Sequence, residues 1–197
     1  MAKRIFIAIN LPEKVKKTLA DYRIQYSHIP ARWTKPENLH ITLVFLGYIR
    51  DENLPEVFQK TEEIVQRHSS FEIKFKKITF GPLDKKPPRM IWAVGEKNKP
   101  LANLQKDLEN ILLSGSNNQN IDKYLSSLKN KQETKEKNFI PHITLARLKQ
   151  MEFRRMEETP EINEDIDINI FVDSIEIMES YLKKSGPEYI ILKSISF

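Results

Sequence analysis

The four residues His40-Ile41-Thr42-Leu43 recur letter for letter as His142-Ile143-Thr144-Leu145. The chain has four histidines, and two of them sit in these copies. The copies lie 102 positions apart in 197 residues, one in each half of the chain. Eight of the 197 residues are threonine, so a threonine two places after any given histidine is a ~4% event. Two such pairs among four histidines is roughly a one-in-a-hundred coincidence, and the matching Ile and Leu make it rarer. The competing reading, two strand fragments with incidental polar residues, needs that coincidence.

An imidazole and a hydroxyl on each of two arms suit concerted acid–base chemistry. Residues i and i+2 of a strand share a face. His40 and Thr42 therefore point one way and Ile41 and Leu43 the other, and the same holds for His142, Thr144, Ile143 and Leu145. Two such strands across a cleft surround a small site with two imidazoles and two hydroxyls. This set fits in-line displacement at phosphorus. One neutral imidazole takes a proton from water, the other, as imidazolium, gives one to the leaving oxygen, and the hydroxyls hold nonbridging oxygens. An ordinary imidazole pKa near 6.5 makes both forms accessible at neutral pH. Direct protonation of the leaving group needs no metal or other cofactor. Two His with two Thr would also be a poor ligand set, and the chain has no Cys and no nucleophile-elbow pattern. His28 and His68 fall outside any pattern and read as surface or helix residues.

The elements that must position these arms can be read coarsely. Ile5, Ile7 and Ile9 alternate as a strand, and a helix through Val15, Leu19, Tyr22 and Tyr26 follows Pro12. Residues 29–39 read as loop. A β-rich run from His40 to Tyr48 breaks at Gly47. Helical spacing is predicted over 54–67 and 101–112, and strands over 71–80 and 90–94. Residues 114–138 are polar and then highly charged. They read as an exposed excursion, free to move, with room for a short helix over 121–128. The second motif strand follows Pro141, and then come a charged helix near 149–158 and a loop over 160–167. One strand is expected over 171–181, with a hairpin partner over 189–195 after Gly186-Pro187. Strands interleaved with a few helices, without a βαβ repeat or a Gly-rich phosphate loop, predict an α+β architecture with mainly antiparallel sheets. The repeated motif predicts a single bilobal domain over 1–197 with pseudo-symmetric lobes.

Composition sets the outer bounds. The chain is 40% hydrophobic and 30% charged, as expected of a soluble globular protein. No apolar run approaches the ~18 residues of a membrane span, and the N-terminus lacks a signal-peptide pattern. A cytoplasmic monomer is the default expectation. A net charge of +5 and a pI near 9.2 suit a polyanionic ligand such as RNA without requiring one.

The residues flanking the motifs carry a resemblance. Arg4-Ile5-Phe6-Ile7-Ala8-Ile9, Arg32-Trp33, Asn38-Leu39-His40-Ile41-Thr42-Leu43-Val44-Phe45-Leu46-Gly47 and Arg89-Met90-Ile91-Trp92-Ala93 cover the first half. Phe139-Ile140-Pro141-His142-Ile143-Thr144-Leu145-Ala146-Arg147 and Glu179-Ser180-Tyr181-Leu182 follow. Together they resemble the two-histidine phosphoesterase superfamily, and within it the RNA 2′,3′-cyclic phosphodiesterases, also called 2′-5′ RNA ligases. The resemblance implies a bilobal fold, each lobe an antiparallel sheet with outer helices, and an active site in the cleft between. It implies metal-independent hydrolysis of an RNA-terminal 2′,3′-cyclic phosphate, or of a cyclic nucleotide, to a 2′-phosphate. It makes His40 the general base, His142 the general acid, and Thr42 and Thr144 the phosphate holders. The residues five past each motif His, Phe45 and Arg147, become the nucleoside and ligand contacts. Sister activities, 2′-5′ ligation and 2′-5′ phosphodiester cleavage, would use the same histidines, and an RNA-binding module without catalysis would not need them.

Strict alternation puts Phe45 and Arg147 on the face opposite their histidines. They join the site only if each strand ends, twists or bulges first. Otherwise Phe45 is core packing and Arg147 a surface or sheet-edge charge. Trp33 and Trp92 read as packing residues.

Overall fold

The computed structural model describes residues 1–114, 139–158, 160–183 and 186–197. Nearly all of the polar excursion expected at 114–138 thus lies outside the described residues.

Two antiparallel sheets make up the fold. The first has β1 (Ala2–Asn10), β3 (His40–Arg50), β8 (Ser174–Lys183) and β9 (Gly186–Ser196) in the order β3-β1-β8-β9. The second has β2 (Ala31–Trp33), β4 (Phe71–Gly81), β5 (Met90–Gly95), β6 (His142–Leu148) and β7 (Asn163–Val172) in the order β2-β6-β5-β4-β7. The helices are α1 (Glu13–Gln25), α2 (Leu54–Val65), α3 (Lys99–Ser114) and α4 (Gln150–Phe153). This is the α+β, two-sheet architecture expected from the strand pattern. Among the described residues no helix is long and apolar enough to cross a membrane.

β1 is a central strand, and Ile5 through Ile9 are all buried. A strand covered on both faces needs apolar side chains at every position rather than at alternate ones. Its two faces do different work. Ile5, Ile7 and Ile9 join a core cluster that also holds Ile73, Phe75, Ile91 and Ile143 from the second sheet. Phe6 and Ala8 form a small separate cluster with Met178, against which Tyr189 packs. α2 and α3 lie against the first sheet through β9 and β3, and the turn that follows α2 is tied to α3 by the His68–Asp107 contact at 3.0 Å. α1 instead reaches the second sheet, where Gln25 and Tyr26 bond Glu164 of β7.

Four local expectations need correction. The loop expected at 29–39 holds the short strand β2 and a 3₁₀ turn over Pro36–Asn38. β3 does not stop at Gly47 but runs on to Arg50. Gly47 takes φ 75°, a left-handed backbone that costs glycine no steric clash, and this absorbs the irregularity while pairing with β1 continues. The expected loop at 160–167 and strand at 171–181 are really two strands, β7 and β8, divided at Asp173. The acidic run of β7 looked like loop, but it is a sheet edge whose carboxylates meet the lysines of β4, with Lys76–Asp167 at 2.6 Å and Lys77–Asp165 at 3.8 Å. Charged side chains are well suited to such an edge. The charged helix near 149–158 is only the short α4.

Candidate active site

Both motifs fall on strands, and the two strands share a device that alternation alone would miss. In the β1–β3 pairing Ala8 faces Thr42 and Ile7 faces Val44, leaving Leu43 without a partner. In the β5–β6 pairing Trp92 faces Thr144 and Ile91 faces Ala146, leaving Leu145 without one. Each arm thus carries a one-residue bulge three places after its histidine. A bulge inserts a residue and reverses which face later side chains take. Leu43 and Val44 are consecutively buried, and so are Leu145 and Ala146. Phe45 and Arg147 then emerge exposed, on the side of the histidines. The ring of Phe6 lies 5.1 Å from that of His40 and 6.0 Å from that of Phe45, which puts both on one face.

The two imidazoles are held alike. His40 Nδ1 lies 2.7 Å from the carbonyl of Asn38, and His142 Nδ1 lies 3.0 Å from the carbonyl of Ile140. A carbonyl can only accept, so in each ring Nδ1 carries the hydrogen and donates it, and in the neutral ring Nε2 is left as the base. Thr42 Oγ1 sits 2.9 Å from His40 Nε2 and donates to it. Asn38 is buried in the 3₁₀ turn Pro36–Asn38, and its own Nδ2 donates to the Pro187 carbonyl at 2.7 Å. That bond locks the turn, and with it the acceptor for His40, to the start of β9.

β3 and β6 meet across the two sheets, which sets the histidines within electrostatic range of each other. Burial pulls the His40 imidazole below its ordinary pKa, while the Asn38 hydrogen bond opposes and the charges of His142 and Lys16 push further down. Burial also lowers His142, against the hydrogen bond to Ile140. The walls differ. His40 lies against Phe6 and, edge-on, against Tyr189 at 5.1 Å. His142 stacks on the indole of Trp92, with centroids 4.0 Å apart and planes 29° off parallel. That indole lies against Gly81, where an added Cβ would fall 2.3 Å from Trp92 Cδ2. Only glycine leaves the ring its place. Trp92 is the packing residue the sequence suggests, but what it packs against is one of the paired imidazoles.

Arg147 is exposed, with Nη1 3.8 Å from Met90 Sδ. It faces Arg32 of β2 across the strand pair. Its charge and that of Arg4 act on the Tyr189 hydroxyl, opposing the upward push of burial on that phenol. Arg147 is therefore within electrostatic range of the aromatic wall beside His40. The structure thus gathers His40, Thr42, His142 and Thr144, with Phe45 and Arg147 on the same faces. Sequence reasoning missed Phe6, Tyr189 and Gly81, whose roles come from cross-strand neighbours. The carbonyl acceptors two residues before each His were within reach of a motif reading. His68 stays apart, in its contact with Asp107. Among the described residues no three His, Cys, Asp or Glu converge on a common point.

Comparison with known proteins agrees with this frame. Residues 9–92 match the family model described as LigT like Phosphoesterase. The chain is 30% identical over 192 residues to an RNA 2′,3′-cyclic phosphodiesterase of Methanocaldococcus jannaschii, covering 96% of this chain and 98% of the relative. It is also 30% identical to one from Aquifex aeolicus, over 92% of this chain and 86% of that protein. The crystal structure of TT0787 of Thermus thermophilus shares the fold with a TM-score of 0.77, at 23% identity over 98% of this chain and 97% of that one. The chain belongs to the RNA 2′,3′-cyclic phosphodiesterase family of LigT-like phosphoesterases.

Proposed function

We propose that this enzyme hydrolyses RNA-terminal 2′,3′-cyclic phosphates, and cyclic nucleotides, to 2′-phosphates without a metal ion. The observation that carries the reading is the duplicated frame: two bulged strands, each presenting an imidazole whose Nδ1 is clamped by a backbone carbonyl, so that Nε2 is the working nitrogen. His40 accepts a proton from water as the water oxygen bonds to phosphorus. The bond from phosphorus to O3′ breaks, and His142 Nε2 gives its proton to that oxygen. His40 leaves the step protonated and His142 neutral, and exchange with solvent restores both. Thr42 and Thr144 bond the nonbridging oxygens, Arg147 balances their charge, and Phe45 packs on the nucleoside. The enzyme acts as a single bilobal domain and a cytoplasmic monomer.

Electrostatics favour this division of labour. The charge of Lys16 opposes a proton on His40, and repulsion between the two imidazoles keeps both from being charged at once. When one proton is shared between the rings, it therefore resides on His142, and an anionic phosphate between the arms strengthens that choice.

The test is to incubate the protein with adenosine 2′,3′-cyclic phosphate in EDTA and identify the product. Formation of the 2′-phosphate, lost on His40→Ala and on His142→Ala, is the expected result. A 3′-phosphate product would contradict the assigned leaving group, and turnover that vanishes in EDTA would contradict metal independence.

A further inference from the structure

A cavity of about 600 Å³ opens beside the second arm, lined by Lys85, Lys86, Arg89, Arg147 and Arg154 with one acid, Asp84. Lys76, Lys77 and Lys149 all have carboxylate partners. None of the five cavity cations has one among the described residues. Five like charges around one cavity repel each other, and a protein that leaves them uncompensated holds a strong site for an anion. The frame beneath them is fixed. Arg89 N donates to Gly81 O and Leu148 N to Arg89 O, both at 2.9 Å. Gln150 Nε2 donates to Pro88 O at 2.9 Å, which ties α4 to the same loop.

One residue links the cavity to the two motif arms. Arg147 belongs to both, since it shares the His142–Thr144 face of β6 and also lines the cavity. It sits five residues past His142, roughly 16 Å along the strand, and its charge is felt at Tyr189 beside His40. A ligand longer than one nucleotide, with its end between the histidines, would lie with its next anionic groups along this path.

We infer that this cavity binds backbone phosphates of an RNA chain upstream of the reacting end, making the enzyme selective for cyclic-ended oligonucleotides over cyclic mononucleotides. The inference rests on the hydrolase reading above. Five cations against one acid exceed what a single diester needs, so the cavity takes more than one phosphate. A mononucleotide occupies only the space between the arms and gains nothing from Lys85, Lys86 or Arg154. An oligonucleotide gains contacts whose strength falls with salt, because phosphate binding releases condensed counterions.

The experiment compares kcat/KM for adenosine 2′,3′-cyclic phosphate and for a tetranucleotide ending in the same group. Both are measured in the wild type and in the combined variant Lys85→Gln, Lys86→Gln, Arg154→Gln. The wild type should prefer the tetranucleotide by about tenfold or more at low salt, with the preference shrinking as salt rises. The variant should lose that preference while its mononucleotide activity stays within about twofold. Equal use of both substrates by the wild type, or an equal loss on both in the variant, would overturn the inference. If neither substrate is hydrolysed, the hydrolase reading fails by itself. The cavity is then judged by binding of a labelled single-stranded RNA bearing a 3′-phosphate: weaker binding in the variant upholds the phosphate site, and unchanged binding overturns it.

Discussion

His40 and His142 sit on strands with the same sequence, the same bulge and the same Nδ1–carbonyl clamp, yet their surroundings diverge. His40 rests on a soft aromatic wall of Phe6 and Tyr189 and receives a hydrogen bond from Thr42. His142 rests on one rigid plane, Trp92, which is itself seated on a glycine. β3 is a sheet edge, whereas β6 is flanked on both sides and braced by Thr34, whose N and Oγ1 donate to the Leu145 and Thr144 carbonyls at 2.8 Å. On the proposed mechanism, the repeated motif supplies the reacting atoms, while the neighbours that differ separate the two roles. The arm with a hydroxyl on its Nε2 and a cation nearby is suited to being neutral. The arm on the indole, with no such push, is suited to carrying the proton.

The harshest test removes one arm at a time. His40→Ala and His142→Ala should each lower kcat/KM by about 10²–10⁴-fold. The double variant should fall little below the worse single one, because groups that act as a unit are non-additive. Additive losses in steady-state kinetics would mean the two rings work independently.

The next break concerns the indole seat. Gly81→Ala places a Cβ where Trp92 lies, so the ring must move and His142 loses its plane. We expect kcat/KM to drop about 10-fold or more through misplacement of the acid. Burial is what lowers His142, so letting water in raises its pKa toward the ordinary value. The acid must be protonated, and activity is lost as pH rises through its pKa. The alkaline limb of the pH–rate profile should therefore move to higher pH. The acid limb, set by His40, should stay in place. A profile whose limbs both keep the wild-type positions would remove Trp92 from any positioning role.

Replacing the hydroxyls sharpens the contrast at smaller cost. Thr42→Val and Thr144→Val should each cost roughly 10–100-fold in kcat/KM, the scale of a hydrogen bond to a charged group. Only Thr42→Val should also shift the acid limb. Thr42 donates to the neutral form of His40, so losing it raises that pKa, and activity then fails at a higher pH as acid is added. Equal profiles for the two variants would show that the Thr42–His40 bond plays no part in setting the base.

The smallest effect is expected at Phe45, which is 50% exposed. Phe45→Ala should leave thermal stability nearly unchanged and raise KM about 5-fold or more, the low end of base–aromatic stacking. An unchanged KM with a lowered melting temperature would return Phe45 to plain packing.

Much of the site was legible before any fold was known. Spacing alone puts His and Thr on one face and Ile and Leu on the other, and residues 41, 43, 143 and 145 are indeed buried. What failed was the parity of Phe45 and Arg147. A bulge is set by the partner strand, here β1 for one arm and β5 for the other, and no local pattern announces it. β7 failed for a related reason. Its alternating acids look like loop until the lysines of β4 lie beside them. The glycine at 81 was equally mute, because its need arises from a ring eleven residues away in sequence and one strand away in space.

By itself the sequence determined the chemistry: which residues titrate, which hydroxyls accompany them, and that there are two arms with apolar backs. Those properties follow from side-chain type and strand period, which are local. Tertiary structure decided everything that depends on neighbours across strands. It set the bulges that turn Phe45 and Arg147 to the side of the histidines, the carbonyls and aromatic planes that orient each imidazole, and the cations gathered beside Arg147 that have no carboxylate partner among the described residues. Register and charge compensation are properties of pairs of segments far apart in the chain, and only folding brings those pairs together.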